Sequence, residues 1–206
     1  EAYDYPVEFF RKRVHTIDRR PISDAAKEKA VDLISSKEKP LIICGGGVKY
    51  SGAADELKDF SEKFNIPFAE TQAGKGAISA EHELNLGGMG VCGTLAANKI
   101  AKDADLIIAV GTRLNDFVTS SKKAFQNPDV SMININVNGQ DALKMNSLPL
   151  VADAKDALAK LTLALEEKAY KSNYKDEIKS AQAEWAEELE RIGNEEQLEE
   201  ETSEDG

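Results

Sequence analysis

Short apolar runs that alternate with segments of helical period constrain the fold of this chain most strongly. The runs 41–44 and 105–110 are rich in Leu, Ile and Val, as expected for strands buried on both faces of a sheet. The segment 52–65 between them spaces Leu57, Phe60 and Phe64 three and four positions apart, as in a helix. Because alternating strands and helices need crossover connections, the sequence predicts an α/β fold with a parallel sheet and helices on both faces.

The remaining pattern sets the size of the sheet and the division of the chain. Runs at 67–70, 132–137 and 148–151 predict further strands, giving a Rossmann-like sheet of five or six strands. Residues 23–170 form the predicted central domain. The aromatic and basic segment 1–22 has no sustained period and is predicted to be an interdomain arm. Residues 171–206 are predicted to form a linker helix and an acidic, disordered tail. The helix carries an apolar seam that requires a partner surface, made of Ile178, Ala181, Trp185, Leu189 and Ile192.

Charge excludes one class of partner. The 206 residues carry 37 acids and 26 bases, a formal net charge of −11, whereas nucleic-acid binding needs a surplus of Lys and Arg. Eleven of those acids and one base lie in 184–206, so the acidity belongs to the tail. No apolar run approaches the ~20 residues of a membrane span, so no membrane partner is expected. The isolated thiols of Cys44 and Cys92 favour a reducing, cytoplasmic location. The chain begins at Glu1, and we expect it to be a segment of a longer polypeptide.

Glycines follow the predicted strands at the edge where ligands bind in parallel sheets. Gly45, Gly46 and Gly47 follow the first strand, and their missing side chains would let backbone N–H groups approach a phosphate. Tyr50 stands where the dinucleotide fingerprint needs its third glycine, so a tight turn without a ligand is an equal alternative. The dense glycines of 87–93 allow the same two interpretations, close approach by a ligand or a flexible crossover.

The other candidate residues offer binding groups rather than a reaction centre. Gly74 and Lys75 do not form a P-loop, because Gly76 replaces the required Ser or Thr. Arg113 follows a buried strand and could grip a phosphate or carboxylate, or pair with Asp116. No metal motif or nucleophile motif is present, and His15 and His82 lack partners at readable spacing, which predicts surface residues.

The order and spacing of these blocks resemble the central domain of thiamine-diphosphate-dependent enzymes across about residues 23–165. The resemblance rests on the blocks 40–47, 67–76, 86–93, 110–113, 133–136 and 152–153. It implies a domain of the DHS-like NAD/FAD-binding type. The blocks 5–10, 44–50 and 70–75 are most similar to members that hydrolyse a C–C bond of a cyclic diketone in myo-inositol breakdown.

The resemblance also implies which domains of the full-length enzyme bind the cofactors. Thiamine diphosphate and Mg²⁺ would be bound by flanking domains of the same polypeptide, in a full-length homo-oligomer, so this segment alone would be inactive and hold no cofactor. Some relatives bind FAD or ADP in this domain, and a stand-alone nucleotide-binding module is therefore the alternative function. An interaction module that uses the apolar seam and the acidic tail is a third interpretation. Lys75 is a candidate for positioning substrate. The residues implied for a vestigial nucleotide site are Gly45, Gly46, Gly47, Thr71, Gly74, Gly90, Gly93, Gly111 and Arg113.

Overall fold

Six parallel strands form one sheet in a computed structural model that describes residues 3–16 and 18–194. The strand order is β3-β2-β1-β4-β5-β6. This order confirms the predicted Rossmann-like α/β fold with six strands. The strands are β1 (Pro40–Cys44), β2 (Phe68–Glu70), β3 (Asn85–Gly88), β4 (Leu106–Val110), β5 (Ser131–Ile135) and β6 (Leu148–Leu150).

Two layers of helices cover the sheet. Helices α1 and α3 each pack against α7, whereas α4 packs with α8. Because α3 connects β1 to β2 and α4 connects β3 to β4, right-handed crossovers place the two groups on opposite faces. The helices are α1 (Asp24–Ser35), α2 (Gly46–Ser51), α3 (Ala54–Phe64), α4 (Leu95–Asp103), α5 (Asp116–Thr119), α6 (Gly139–Ala142), α7 (Ala154–Glu167) and α8 (Glu177–Gly193), with short 3₁₀ turns at Val7–Phe10 and Lys144–Asn146.

The two central strands hold the core in register. Every residue of β1 and β4 is buried, and Pro40 pairs with Leu106 while Cys44 pairs with Val110. Both strands therefore end at the same level of the sheet, and the turns that follow them lie side by side. The predicted strands at 67–70 and 148–151 are confirmed within a residue or two. The predicted strand 132–137 ends at Ile135 instead, and Val137 is exposed.

Two elements go beyond the sequence-based prediction. No strand is predicted within the glycine-rich stretch, and Asn85–Gly88 pairs there with β2 as an edge strand of the sheet. The triple glycine is predicted to form a strand-to-helix turn, and its last two glycines already belong to the helix Gly46–Ser51, which Gly52 ends with a φ of +64°. Both segments are short and rich in glycine, so tertiary packing rather than intrinsic propensity determines their conformation.

The predicted linker helix is packed against the domain over its first half. Ile178 and Ala181 of α8 are buried, Trp185 is half-buried, and Leu189 and Ile192 remain 50 % and 48 % exposed. The seam thus finds part of its partner in α4. The preceding segment is also fastened, because Ser172 N donates to the Phe64 carbonyl at 2.9 Å. The predicted disordered tail, 195–206, lies outside the described residues.

The N-terminal arm is fastened at one end. The Arg19 guanidinium donates to the Ser51 carbonyl at 2.6 Å and to the Asp153 carboxylate at 3.0 Å. The amide of Ile22 donates to the Asp156 carboxylate at 2.8 Å. By contrast, every residue of 3–16 is exposed. The arm therefore leaves the domain beside the end of α2.

Candidate functional site

A cleft of about 900 Å³ opens at the carboxyl ends of β1, β2, β4 and β5. The strand order reverses between β1 and β4, which is where doubly wound sheets place their ligands. The turns that follow β1, β2 and β4 meet in this cleft, as the sequence predicted. Six of the ten predicted site residues line it, namely Gly46, Gly47, Thr71, Lys75, Gly111 and Arg113.

The turns after β1 and β4 pack directly on each other. A Cβ on Gly45 would lie 2.3 Å from the Gly111 carbonyl oxygen, and one on Gly47 would lie 2.6 Å from the Gly111 Cα. The amide of Gly45 donates to the Val110 carbonyl at 2.8 Å, and that of Gly47 donates to the Gly111 carbonyl at 2.9 Å. Gly111 itself has a φ of +61°. These glycines are needed for the approach of two backbones, whatever else binds there.

The turn after β2 is built in the same way. The amides of Gly74 and Lys75 both donate to the Thr71 carbonyl at 2.9 Å, and the Thr71 amide donates to the Cys44 carbonyl at 2.9 Å. A Cβ on Gly74 would lie 2.1 Å from that same Cys44 carbonyl oxygen. Gly74 therefore packs behind the cleft instead of lining it, and the Lys75 side chain is exposed at its rim.

The glycines of the β3–α4 connection hold α5 in place. Gly90 has a φ of +96°, and a Cβ there would lie 1.9 Å from the Phe117 carbonyl oxygen. The Gly90 amide donates to the Asn98 side chain at 3.1 Å, and the Val91 amide donates to the Phe117 carbonyl at 2.8 Å. A Cβ on Gly93 would lie 2.5 Å from the Gly88 carbonyl oxygen. Neither Gly90 nor Gly93 lines the cleft.

This arrangement determines which groups of the cleft could bind an anion. The N–H groups of Gly45, Gly47, Gly74, Gly90, Gly93 and Gly111 all donate to acceptors within the protein. Among the predicted site glycines, Gly46 at the start of α2 is the one whose N–H has no acceptor within the described residues, so a phosphate in this cleft could meet that amide and the Lys75 and Arg113 side chains. The alternative that Arg113 pairs with Asp116 is wrong. The exposed Arg113 guanidinium forms no ion pair with Asp116 or with any other described residue.

Sequence reasoning missed Glu70 as a member of the site. Its side chain is 4 % exposed, lines the cleft, and accepts a hydrogen bond from the Gly76 amide at 3.1 Å. Burial raises the pKa of this carboxyl, and bonds from the Gly76 amide and the Asn85 side chain partly oppose that rise. The charges of Lys49 and Lys75 oppose it as well. The available sequence signal for Glu70 was an acidic residue at the end of an otherwise apolar strand.

His82 is not the surface residue that the sequence predicted. Its side chain is 9 % exposed and packs against the Phe68 ring, with the ring centroids 5.5 Å apart. Nε2 lies 3.0 Å from the Glu62 carboxylate, and Nδ1 accepts a hydrogen bond from the Leu84 amide at 3.1 Å. These partners lie at the amino end of β3, away from the cleft. His82 therefore has a structural role, and it is not a general base for chemistry in the cleft.

The described residues contain no catalytic constellation that the cleft could use. Within 3–16 and 18–194, no group of three or more His, Cys, Asp or Glu side chains could hold a metal ion. This donor set does not fit Mg²⁺, which takes oxygen ligands from carboxylates. Over the same ranges, no helix has both the length and the apolar composition of a membrane span.

Comparison with known proteins agrees with the geometry. The family model described as thiamine pyrophosphate enzyme, central domain, matches residues 27–161. This chain belongs to the thiamine pyrophosphate enzyme family and forms its central domain. The Rossmann-like sheet agrees with membership in this thiamine pyrophosphate enzyme central domain.

Relatives of this central domain share one name, 3D-(3,5/4)-trihydroxycyclohexane-1,2-dione hydrolase. The protein of that name from Clostridium tetani is 58 % identical over 201 residues, which cover 98 % of the chain and 31 % of the relative. Those from Clostridium perfringens and Bacillus cereus are 54 % and 53 % identical over 194 residues, covering 94 % of the chain and 30 % of each relative. The chain thus spans about a third of the length of these relatives.

Proposed function

We propose that this chain is the central scaffold domain of a thiamine-diphosphate-dependent hydrolase that cleaves a C–C bond of 3D-trihydroxycyclohexane-1,2-dione in cytoplasmic myo-inositol catabolism. The observation that carries this proposal is the 58 % identity to a protein named for that reaction, spread over 98 % of the chain. On this proposal, thiamine diphosphate and Mg²⁺ are held by other parts of the polypeptide.

The proposal predicts that the chain is inactive alone. The experiment compares the 206-residue chain with the complete polypeptide, both supplied with thiamine diphosphate, Mg²⁺ and the diketone. Ring opening is followed by the loss of the diketone. Turnover by the complete polypeptide and none by the chain is the expected result. Turnover by the chain alone, or no hydrolysis by the complete polypeptide, would refute the proposal.

The exposed arm supports flanking domains as the partners of this domain. The arm exposes four aromatic side chains within eight residues, and clustered exposed apolar groups mark interaction surfaces. Their exposed fractions are 79 % for Tyr3, 72 % for Tyr5, 58 % for Phe9 and 76 % for Phe10. The chain covers 31 % of its Clostridium tetani relative, so a longer polypeptide offers surfaces to cover them. On this proposal the arm and the distal half of α8 contact the flanking domains, within a homo-oligomer. Limited proteolysis tests it, because the arm should be cut rapidly in the chain alone and slowly in the complete polypeptide.

We propose that Lys75 helps to position the polyhydroxylated substrate from the rim of the cleft. Its side chain is exposed on a turn whose Thr71, Gly74, Lys75 and Gly76 amides are all bonded, so the ammonium projects from a fixed base. Replacing Lys75 with Ala in the complete polypeptide should lower kcat/KM, mainly through KM. An unchanged kcat/KM would remove Lys75 from the proposed site.

Nucleotide binding by FAD or ADP is the second candidate function. Three groups in the cleft favour it: the Arg113 guanidinium, which pairs with no acid among the described residues, and the Tyr50 and Phe117 rings, which are 87 % and 70 % exposed. An aromatic ring can stack on an adenine, while Arg113 can bind a phosphate oxygen pair. The test is a thermal melt with FAD and with ADP. A rise in Tm that is lost in Arg113→Met supports binding, whereas no shift with either nucleotide refutes it.

A further inference from the structure

Two contacts from outside the 71–76 turn hold the single peptide unit that joins Lys75 to Gly76. The buried Glu70 carboxylate accepts the N–H of this unit, that of Gly76, at 3.1 Å. The Lys49 ammonium, reaching across from α2, donates to its carbonyl, that of Lys75, at 2.5 Å. Each contact joins a charged side chain to a backbone group, and such charge-assisted bonds are stronger than neutral ones. The peptide unit directly after Lys75 is thus held at both its N–H and its C=O, from two different elements.

The position of Glu70 suits this task. It is the last residue of β2, and its own carbonyl accepts the Met89 amide at 2.9 Å, so the backbone beneath it is fixed by the sheet. The ionisable groups that face it are Lys49 from α2, Lys75 from the turn and the Cys44 thiol from β1. Burial raises the pKa of Cys44 to about 12, so that neighbour is neutral. The two lysines are then the charges that balance Glu70.

Stability alone is a poor explanation for a carboxylate in this place. Taking a carboxylate out of water costs free energy, and a well-packed apolar side chain of similar volume is often as stable or more so. What an apolar side chain could not do is accept the Gly76 N–H. Loss of that acceptor would leave the Lys75–Gly76 peptide unit held from outside the turn by Lys49 alone.

We propose that Glu70 is a positioning residue for Lys75, acting through the Gly76 amide together with Lys49. We call these two contacts, Gly76 N–H to Glu70 and Lys49 to the Lys75 carbonyl, the clamp. The clamp fixes the main chain from which Lys75 reaches over the cleft. An effect of Glu70 on substrate binding rests on the proposed function of Lys75, whereas the clamp itself does not.

Amide hydrogen exchange of the 206-residue chain tests the clamp directly. In Glu70→Ala the Gly76 N–H should exchange about tenfold faster than in the unaltered chain, because its acceptor is gone. Glu70→Gln keeps an oxygen acceptor and should restore slow exchange. Lys49→Met removes the bond to the carbonyl of the same peptide unit, so it should also speed exchange of the Gly76 N–H, by less than Glu70→Ala does. Glu56→Ala, which removes a half-buried acid from α3, is the matched control and should leave the turn unchanged.

Two results would overturn the clamp. The first is unchanged Gly76 exchange in Glu70→Ala. The second is faster exchange that extends equally to the amides of β1 and β4, which would mean a general loss of stability. Local acceleration that Glu70→Gln reverses supports the clamp.

Kinetics of the complete polypeptide separates the clamp from the proposed function. If both hold, Glu70→Ala should raise KM severalfold and have no added effect in a Lys75→Ala background. If Lys75→Ala leaves kcat/KM unchanged while the exchange result stands, the role of Lys75 fails and the clamp survives. If Lys75→Ala lowers kcat/KM but Glu70→Ala does not, positioning by Glu70 is refuted.

Discussion

Replacing Gly74 with Ala tests whether the glycines of the cleft serve packing or a ligand. The added Cβ would lie 2.1 Å from the Cys44 carbonyl oxygen, about 1.3 Å inside the 3.4 Å at which ordinary contact begins. The obstacle is strand backbone, which cannot rotate away as a side chain can. The turn must therefore move off β1, and this movement lengthens the bond between the Thr71 amide and the Cys44 carbonyl, now 2.9 Å.

The cost follows from these two effects. Overpacking of a rigid contact costs about 1–3 kcal/mol, and a weakened backbone hydrogen bond costs about 1 kcal/mol more. We expect Gly74→Ala to lower the free energy of unfolding by about 3 kcal/mol. For a chain of this length, each kcal/mol lowers the Tm by about 2–4 °C, so the expected drop is about 6–12 °C.

Gly76 supplies the matched control on the same turn. It has a φ of +78°, and a Cβ added there would have nothing within 4 Å, so Gly76→Ala bears backbone strain without a clash. That strain is worth about 1 kcal/mol, or about 2–4 °C in Tm. Circular dichroism melts of both ligand-free variants give the comparison. If Gly74→Ala melts within about 2 °C of the unaltered chain, or no lower than Gly76→Ala, the packing argument is refuted.

Three further predictions concern single side chains. Because burial raises the folded-state pKa of Glu70 above its ordinary 4.5, the folded chain binds that proton more tightly than the unfolded chain and loses stability as pH rises. Glu70→Gln should therefore melt at or above the unaltered Tm near about pH 8, and its advantage should shrink toward about pH 5. A chromogenic disulfide reagent should label exposed Cys92 rapidly in the native chain and Cys44 after unfolding, because burial raises the Cys44 pKa to about 12. Asp153→Ala loses the cap of α7 and the ion pair with Arg19, so it should lower the free energy of unfolding by about 2 kcal/mol, whereas Asp153→Asn keeps a capping oxygen and should lose less than half of that. Equal Tm values for the two Asp153 variants would contradict this last argument.

The parts of the fold that were predictable are those in which local pattern and tertiary burial agree. The apolar runs of β1 and β4 are buried on both faces, so their composition alone identified them as interior parallel strands. Edge strand β3 contains one large apolar residue, Leu86, beside two glycines, and no period of two can be recognised in four residues. Helix α2 begins with two glycines and forms because the β1 and β4 turns pack together.

The sequence predicted the position of the candidate site more accurately than the roles of its residues. Strand ends in a parallel sheet share one edge, which is enough to bring Thr71, Gly111 and Arg113 to the same cleft. A sequence does not distinguish a glycine required by a ligand from one required by a neighbouring backbone. Gly45 and Gly74 belong to the second kind, because a Cβ added to either would lie less than 2.5 Å from a carbonyl oxygen of the protein. Glu70 was missed because its partner, the Gly76 amide, leaves no mark in the sequence.

The hydrogen bonds among the turns of the cleft suit the proposed scaffold role of this domain, because they fix the backbone from which side chains project. Three turns that would be flexible in isolation are tied to one another by their own amides and by Glu70 and Lys49. At the rim, the exposed side chains of Lys75 and Arg113 project from this backbone together with the exposed rings of Tyr50 and Phe117. A rigid backbone that presents a few free side chains is well suited to meet another surface at a fixed geometry, because little conformational entropy is lost on contact.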